Sequence, residues 1–188
     1  MTRALSKSLS LPEFLALPET KPACEYIEGE IFQRPMPKGK HSLLQTQLTA
    51  VLNAALMSRK IALALSELRC SFGSRSTIPD IAVFEWSRLP YDDRGEIANA
   101  FEIAPDWTIE ILSPEQSQTR VTKNILHCLQ NGTQMGWLID PEEQTVLVFL
   151  PPDQVKVFEI QDKLLPVPKF AADVALSVEE LFAWLSVR

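Results

Sequence analysis

Two acidic residues lie inside apolar runs that are typical of β-strands. Asp80 belongs to residues 78–84 (IPDIAVF), and Glu110 belongs to residues 107–113 (WTIEILS). A carboxylate in a low-dielectric strand must be neutralised, paired or bound to a metal, because an isolated buried ion is strongly destabilising. If the two runs are neighbouring strands of one sheet, both carboxylates can converge on one divalent cation.

Each carboxylate taken alone also has a purely structural interpretation. Asp80 follows Pro79, and an acid at the entry of a strand is often satisfied by backbone N–H groups. Glu110 shares a strand face with Thr108 and Leu112, where a buried ion pair with an arginine or a lysine would neutralise it. The sequence is therefore compatible with a metal site and with both structural alternatives.

The pair of carboxylates suits Mg²⁺ or Mn²⁺. Magnesium prefers oxygen ligands and retains several waters, so Asp80, Glu110 and one backbone carbonyl are enough. The carbonyl of Ile111, directly after Glu110, is the predicted third ligand. A hard-cation site of this kind points to phosphodiester hydrolysis, which needs a metal-activated water and a cationic group near the developing charge.

Lys123 is the predicted cationic group, since it lies in the first turns of the helix that follows the Glu110 strand. It stands off the apolar stripe of that helix, so a solvated surface lysine is the alternative interpretation. Its long stem would have to bridge that angle by running along the helix surface. If Lys123 is not the catalytic cation, Arg69 and Lys40 are the next candidates for that role.

Three further residues have weaker claims on the site. His41, at the start of a predicted helix, is placed to contact phosphate or support a metal-bound water, with capping or packing as the alternative. Glu67 is either a supporting acid or a solvated residue at a strand end. His127 is interpreted as structural.

The hydrophobic pattern predicts an α/β fold with a central mixed β-sheet flanked by helices and with hairpins near both ends. Leucines at helical spacing over residues 41–60 mark the longest helix. Gly29 marks a tight hairpin. Strands are predicted over 61–65, 78–84, 107–113, 137–141, 145–150 and 155–160, a turn over 73–77, and a last helix over 177–185. With 188 residues and 46% hydrophobic content, residues 1–188 are expected to form one domain.

Composition excludes several classes of protein. A formal charge of −6 argues against a basic protein that coats nucleic acid. Three cysteines without a CxxC spacing favour a reducing compartment. Residues 1–7 lack the apolar segment of a signal peptide, and no run approaches the roughly 20 apolar residues that span a bilayer. We therefore expect a cytoplasmic protein with no membrane partner.

An ordered set of motifs resembles the Uma2-type (DUF820) branch of the PD-(D/E)XK nuclease superfamily. The set comprises the Glu28-Gly29-Glu30 hairpin, His41, Pro79-Asp80, Ile109-Glu110-Ile111-Leu112-Ser113-Pro114, Lys123 and Trp137-Leu138-Ile139-Asp140-Pro141. The resemblance implies a restriction-endonuclease-like core, with Asp80 and Glu110 as metal ligands and DNA as substrate. Because superfamily nucleases that cut both strands commonly dimerise, it also implies a homodimer, although the sequence marks no interface.

The sequence departs from the superfamily pattern at three places. Leu112 stands where a lysine is expected, so Lys123 is interpreted as that lysine, moved to the helix. Residues 132–137 (GTQMGW) lack the Glu-Tyr pair often found before the tryptophan, and His127 replaces a tyrosine. The expected function is a metal-dependent endonuclease that hydrolyses DNA. The alternative, favoured by the negative net charge, is an inactive nuclease-fold domain that binds nucleic acid or protein.

Overall fold

The computed structural model describes residues 9–114, 116–162 and 164–187. Its regular elements are α1 (Leu11–Leu15), β1 (Cys24–Ile27), β2 (Glu30–Gln33), α2 (Gly39–Leu56), β3 (Ala62–Ser66), β4 (Cys70–Phe72), β5 (Arg75–Thr77), β6 (Ile81–Glu85), β7 (Trp107–Ile111), α3 (Gln118–Gln130), β8 (Met135–Asp140), β9 (Thr145–Leu150), β10 (Gln154–Phe158) and α4 (Val178–Ala183).

A six-stranded mixed sheet with strand order β10-β9-β8-β7-β6-β3 forms the centre of the fold. Only β7 and β8 pair in parallel, and α3 provides the crossover between them. The other neighbours in this sheet are antiparallel. The predicted α/β architecture with a mixed sheet flanked by helices is therefore confirmed.

The two faces of this sheet carry different helices. On one face, α2 packs Leu44, Leu48, Leu52 and Leu56, all fully buried, because residues four apart share one side of a helix. Trp107, Ile109 and Ile111 of β7 join this core. Since side chains alternate along a strand, Thr108 and Glu110 point to the opposite face, which α3 covers.

A second, four-stranded antiparallel sheet with order β2-β1-β5-β4 lies beside α3. The β1–β2 turn has positive φ at Glu28 (52°) and Gly29 (93°), as a two-residue type I′ turn requires. His127 of α3 meets this sheet, with Nε2 3.1 Å from the Phe72 carbonyl oxygen and its ring stacked on Phe72. The hairpin prediction is confirmed, and these contacts agree with the structural interpretation of His127, which stays a prediction.

Several predicted boundaries differ from the structure. The helix predicted over 41–60 ends at Leu56, and Val51 is only half-buried. Residues 73–77 are not all turn: Arg75–Thr77 forms β5, which pairs with β4 in the second sheet. A strand of three residues is too short to show the alternation that reveals longer strands.

The fold does not test two of the expectations from the sequence. Residues 1–7 lie outside the described residues, and the assignment of residues 1–188 to one domain stays a prediction. Among the helices of the described part, none is both long and apolar enough to cross a bilayer.

Candidate active site

Asp80 and Glu110 lie opposite each other where two neighbouring strands pair, with Glu110 in β7 and Asp80 at the residue before β6. The antiparallel register pairs Ile81 of β6 with Ile109 of β7, which brings Asp80, just before β6, opposite Glu110. Backbone groups connect them further: the Asp80 N–H donates to the Glu110 carboxylate, and the Ile111 N–H donates to Asp80 Oδ2 at 2.7 Å. Both side chains are buried.

Side chains from two other elements hold the Asp80 carboxylate. Arg34, directly after β2, forms an ion pair with Oδ1, and Nε2 of His41, in the first turn of α2, lies 3.0 Å from Oδ2. Burial alone would raise the pKa of Asp80, but the His41 hydrogen bond and the Arg34 charge outweigh it and hold this pKa below its usual value. Asp80 is therefore ionised at neutral pH.

The pKa of Glu110 is shifted in the opposite direction. Complete burial raises its pKa well above the usual 4.5, and the neighbouring Asp80 charge raises it further. The positive charge of Arg34 lowers the pKa of Glu110 but does not offset these two effects. The two neighbouring acids therefore have pKa values shifted in opposite directions.

A third buried acid, Glu25 of β1, completes the cluster and was missed by the sequence analysis. Glu25 Oε1 accepts a hydrogen bond from the Ile78 N–H at 2.9 Å, and Oε2 accepts one from Asn124 Nδ2 at 3.2 Å. Burial raises its pKa. The available signal was the one used for Glu110, an acidic residue within a short strand, but β1 is too short to make that signal stand out.

Arg34 is the positive charge of this cluster and was also missed. Its side chain is 13% exposed, and Asp80, Glu110 and Glu25 all act on it. Burial would lower the pKa of Arg34, but these carboxylates outweigh that effect and raise it. The cluster therefore contains a buried ion pair, but its direct partner is Asp80 and not Glu110, for which the sequence analysis weighed such a pair.

On α3, Asn124 rather than Lys123 faces the acid cluster. Successive helix residues differ by about 100° around the axis. Asn124 is buried in a cavity of about 430 Å³ with Glu25 and Glu110, whereas Lys123 is exposed and lines an adjoining groove of about 740 Å³ beside Glu30. The expectation that the Lys123 ammonium points toward the two carboxylates is corrected by this placement.

The other two predicted site residues, Glu67 and Ile111, both contact Asp80 through their backbone N–H groups. Glu67 is exposed but borders a cavity of about 470 Å³ that His41 and Arg34 also line. Its backbone N–H donates to the Asp80 carbonyl oxygen at 3.1 Å. Ile111 meets Asp80 through its N–H, while the role of its carbonyl as a metal ligand stays a prediction.

The two reserve cations are both engaged elsewhere. Lys40 Nζ lies 2.8 Å from Glu142 Oε1, and Arg69 pairs with Glu19 at 3.0 Å while also donating to the Cys24 carbonyl oxygen. Neither side chain lines the cavity that contains Glu110. Arg34 is the arginine that takes the place next to the acids.

Comparison with known proteins supports the resemblance noted in the sequence. The family model Uma2, described as "Putative restriction endonuclease", matches residues 11–179. The chain belongs to the Uma2 family. A crystal structure of a "putative nuclease belonging to DUF820" from Anabaena variabilis ATCC 29413 is similar, with 62% sequence identity and a TM-score of 0.92. The match covers 94% of this chain and 99% of that one. No curated protein matches the chain.

The Uma2 fold raises the question of whether this acid cluster suits a divalent metal. Within the described residues, no three His, Cys, Asp or Glu side chains form a ready-made metal-binding group. The donor chemistry nevertheless fits a hard cation, which prefers carboxylate and amide oxygens. Asn124 Oδ1 is buried in the same cavity and has no hydrogen-bond partner among the described residues. An acceptor oxygen next to Glu25 is suited to receive a cation.

Proposed function

We propose that this Uma2 protein is a metal-dependent endodeoxyribonuclease, with Asp80 and Glu110 as ligands of Mg²⁺ or Mn²⁺. The observation that carries the proposal is the placement of these two buried carboxylates opposite each other, Asp80 just before β6 and Glu110 in β7, where Glu110 lines a cavity that also contains the unpartnered Asn124 Oδ1. The family description and the name of the similar crystal structure support a nuclease.

The chain's own residues would bind and orient a phosphodiester at this cavity. Asp80, Glu110 and the Ile111 carbonyl would hold the ion, which when bound would activate a water and polarise the phosphate. Arg34 lies next to the acids, and Arg120 lines the same cavity, with its guanidinium 4.3 Å from the centre of the Phe32 ring. Both guanidinium groups are suited to bind phosphate oxygens.

The groove next to this cavity gives the substrate a path. Its lining includes three basic residues, Lys123, Arg120 and Arg75, and two acidic residues, Glu28 and Glu30. Lys123 would contact the DNA backbone there, outside the acid cluster. For double-strand cleavage the proposal includes a homodimer, and a protein that sediments as a monomer and only nicks would contradict that part. The three free cysteines support a reducing, cytoplasmic setting.

One observation favours the alternative, a binding module without activity. Arg34 already forms an ion pair with Asp80, and the raised pKa of Glu110 favours its neutral form, so the acid cluster is compensated without a metal. An inactive descendant could keep this cluster for stability alone.

Cleavage of supercoiled plasmid tests the proposal. The parent should nick or linearise DNA with millimolar Mg²⁺ or Mn²⁺ and not with EDTA or with Ca²⁺ alone. Asp80→Asn and Glu110→Gln should each lower the rate by about 10²–10⁴-fold. Glu142→Gln, at an exposed acid, is the matched control and should cleave at the parent rate. Cleavage that survives both site variants would refute the proposed site.

A further inference from the structure

Arg34 stands where a divalent ion would have to bind. It pairs with Asp80 Oδ1, and its charge also acts on Glu110 and Glu25. The other oxygen of Asp80 is already taken, by His41 and by the Ile111 N–H. Asp80 has no exposed surface, so an ion can reach its carboxylate only if one of these three donors moves aside.

Of the three donors, Arg34 is the one that can leave. The Ile111 N–H is part of β7 in the middle of the sheet, and His41 is anchored in the first turn of α2. Arg34 instead begins the irregular segment between β2 and α2. Arg34 lines both the cavity of about 430 Å³ that contains Glu110 and the cavity of about 470 Å³ beside His41. Open volume in both cavities allows the guanidinium to move without disturbing the core.

The buried acids need another cation in place of Arg34 when its guanidinium moves away. Buried carboxylates without a compensating cation are strongly destabilised, so the guanidinium cannot leave unless another cation arrives. Conversely, the released guanidinium needs an anion. A phosphate group in the Glu110 cavity would supply it, since guanidinium binds phosphate through paired hydrogen bonds.

We propose that Arg34 is an internal counter-cation, which exchanges its Asp80 partner for a substrate phosphate when a divalent ion takes its place. This inference rests on the proposed metal-dependent function and adds how that site is controlled. Because the exchange needs the ion and the phosphate together, each increases the affinity for the other, and this coupling is reciprocal. The protein would hold the ion weakly until DNA is present.

Calorimetric titration with Ca²⁺, which should bind without supporting cleavage, tests the exchange in the presence and absence of a DNA duplex. For the parent, the duplex should tighten Ca²⁺ binding by about 5–150-fold, the usual range of coupling between two ligands. Arg34→Gln should bind Ca²⁺ tighter than the parent without DNA and gain little from the duplex. Arg59→Gln, whose guanidinium pairs with the exposed Asp173, is the control and should match the parent.

Arg34→Lys serves as a second variant if Arg34→Gln does not fold, which circular dichroism would show. Lysine keeps the charge but lacks the planar fork, so its hold on Asp80 is weaker and its Ca²⁺ affinity should exceed that of the parent.

The possible failures point to different conclusions. If Asp80→Asn abolishes Ca²⁺ binding while the folded Arg34 variants bind it no tighter than the parent, the exchange is refuted and the metal site stands. If neither the parent nor any Arg34 variant binds the ion, with or without DNA, the metal-dependent function is refuted and the exchange falls with it.

Discussion

Asp80 and Glu110 are chemically similar, but their pKa values are shifted in opposite directions because their partners differ. Asp80 receives the Arg34 ion pair and the His41 hydrogen bond, whereas Glu110 has complete burial and a neighbouring negative charge. A carboxyl pair of unlike ionisation is a common property of catalytic sites, because one acid can then donate a proton while the other accepts one.

The raised pKa of Glu110 predicts how stability depends on pH without metal. A group whose pKa is raised on folding stabilises fully below its unfolded pKa, about 4.5, and this contribution is lost as pH rises through the folded value. Because glutamine does not ionise, Glu110→Gln should not lose this contribution to stability as pH rises. In EDTA at pH 8 it should be more stable than the parent by about 1 kcal/mol or more, since one pKa unit equals about 1.4 kcal/mol. Urea unfolding at pH 5 to 8 measures the free energy of unfolding of both proteins. A difference between them that stays the same across this pH range would contradict the prediction.

The placement of Lys123 in the groove predicts a binding effect rather than a catalytic one. Lys123→Ala should weaken DNA binding several-fold and lower the salt dependence of binding by about one phosphate contact, with the cleavage rate of bound DNA nearly unchanged. Lys156→Ala, on the exposed strand β10, is the matched control. If Lys123→Ala instead slows cleavage of bound DNA by about 100-fold or more at unchanged affinity, Lys123 has the catalytic role expected from the sequence.

Helix α2 stabilises the face of the sheet behind the site and also supplies His41. Leu48 is fully buried there, so Leu48→Ala should lower the free energy of unfolding by about 2–5 kcal/mol through lost apolar contacts and a cavity. Gln47→Ala, on the exposed side of the same helix, should change it by less than about 0.5 kcal/mol. Similar unfolding curves for the two variants would show that α2 does not pack as described.

On the opposite face, α3 approaches the sheet closely at Gly136 of β8. A Cβ at this position would lie 2.3 Å from Ile125 Cγ2, and Ile125 is fully buried and cannot yield. Gly136→Ala should therefore destabilise the protein by about 1–3 kcal/mol. Gly39→Ala adds the same methyl group where no atom lies within 4 Å, and it should be neutral or slightly stabilising. Thermal unfolding of both variants tests this, and equal midpoints would contradict it.

The molecule as a whole is acidic, with a formal charge of −6. An acidic surface repels DNA, so metal ions and the few cations of the groove have to offset this repulsion. The coupling proposed for Arg34 would suit such a molecule, because the ion and the DNA would reinforce each other's binding.

Metal binding should raise the stability of the whole fold. A ligand that binds only the folded state at 100 times its Kd adds about 2.7 kcal/mol, and each kcal/mol raises Tm by about 2–4 °C in a protein of this size. Mn²⁺ should therefore raise the Tm of the parent, and more so that of Arg34→Gln, but not that of Asp80→Asn. Equal shifts in parent and Asp80→Asn would place the metal elsewhere.

The sequence by itself determined the features that depend on neighbours along the chain. Burying a carboxylate is costly wherever the strand lies, so Asp80 and Glu110 were recognisable, as were the leucine spacing of α2 and the Gly29 turn. Only the tertiary structure brought Glu25 and Arg34 to these acids, because their place depends on how the β1–β2 hairpin docks beside α3. It also placed Asn124 instead of Lys123 at the cluster, because the rotation of α3 against the sheet is set by packing at Gly136 and Ile125.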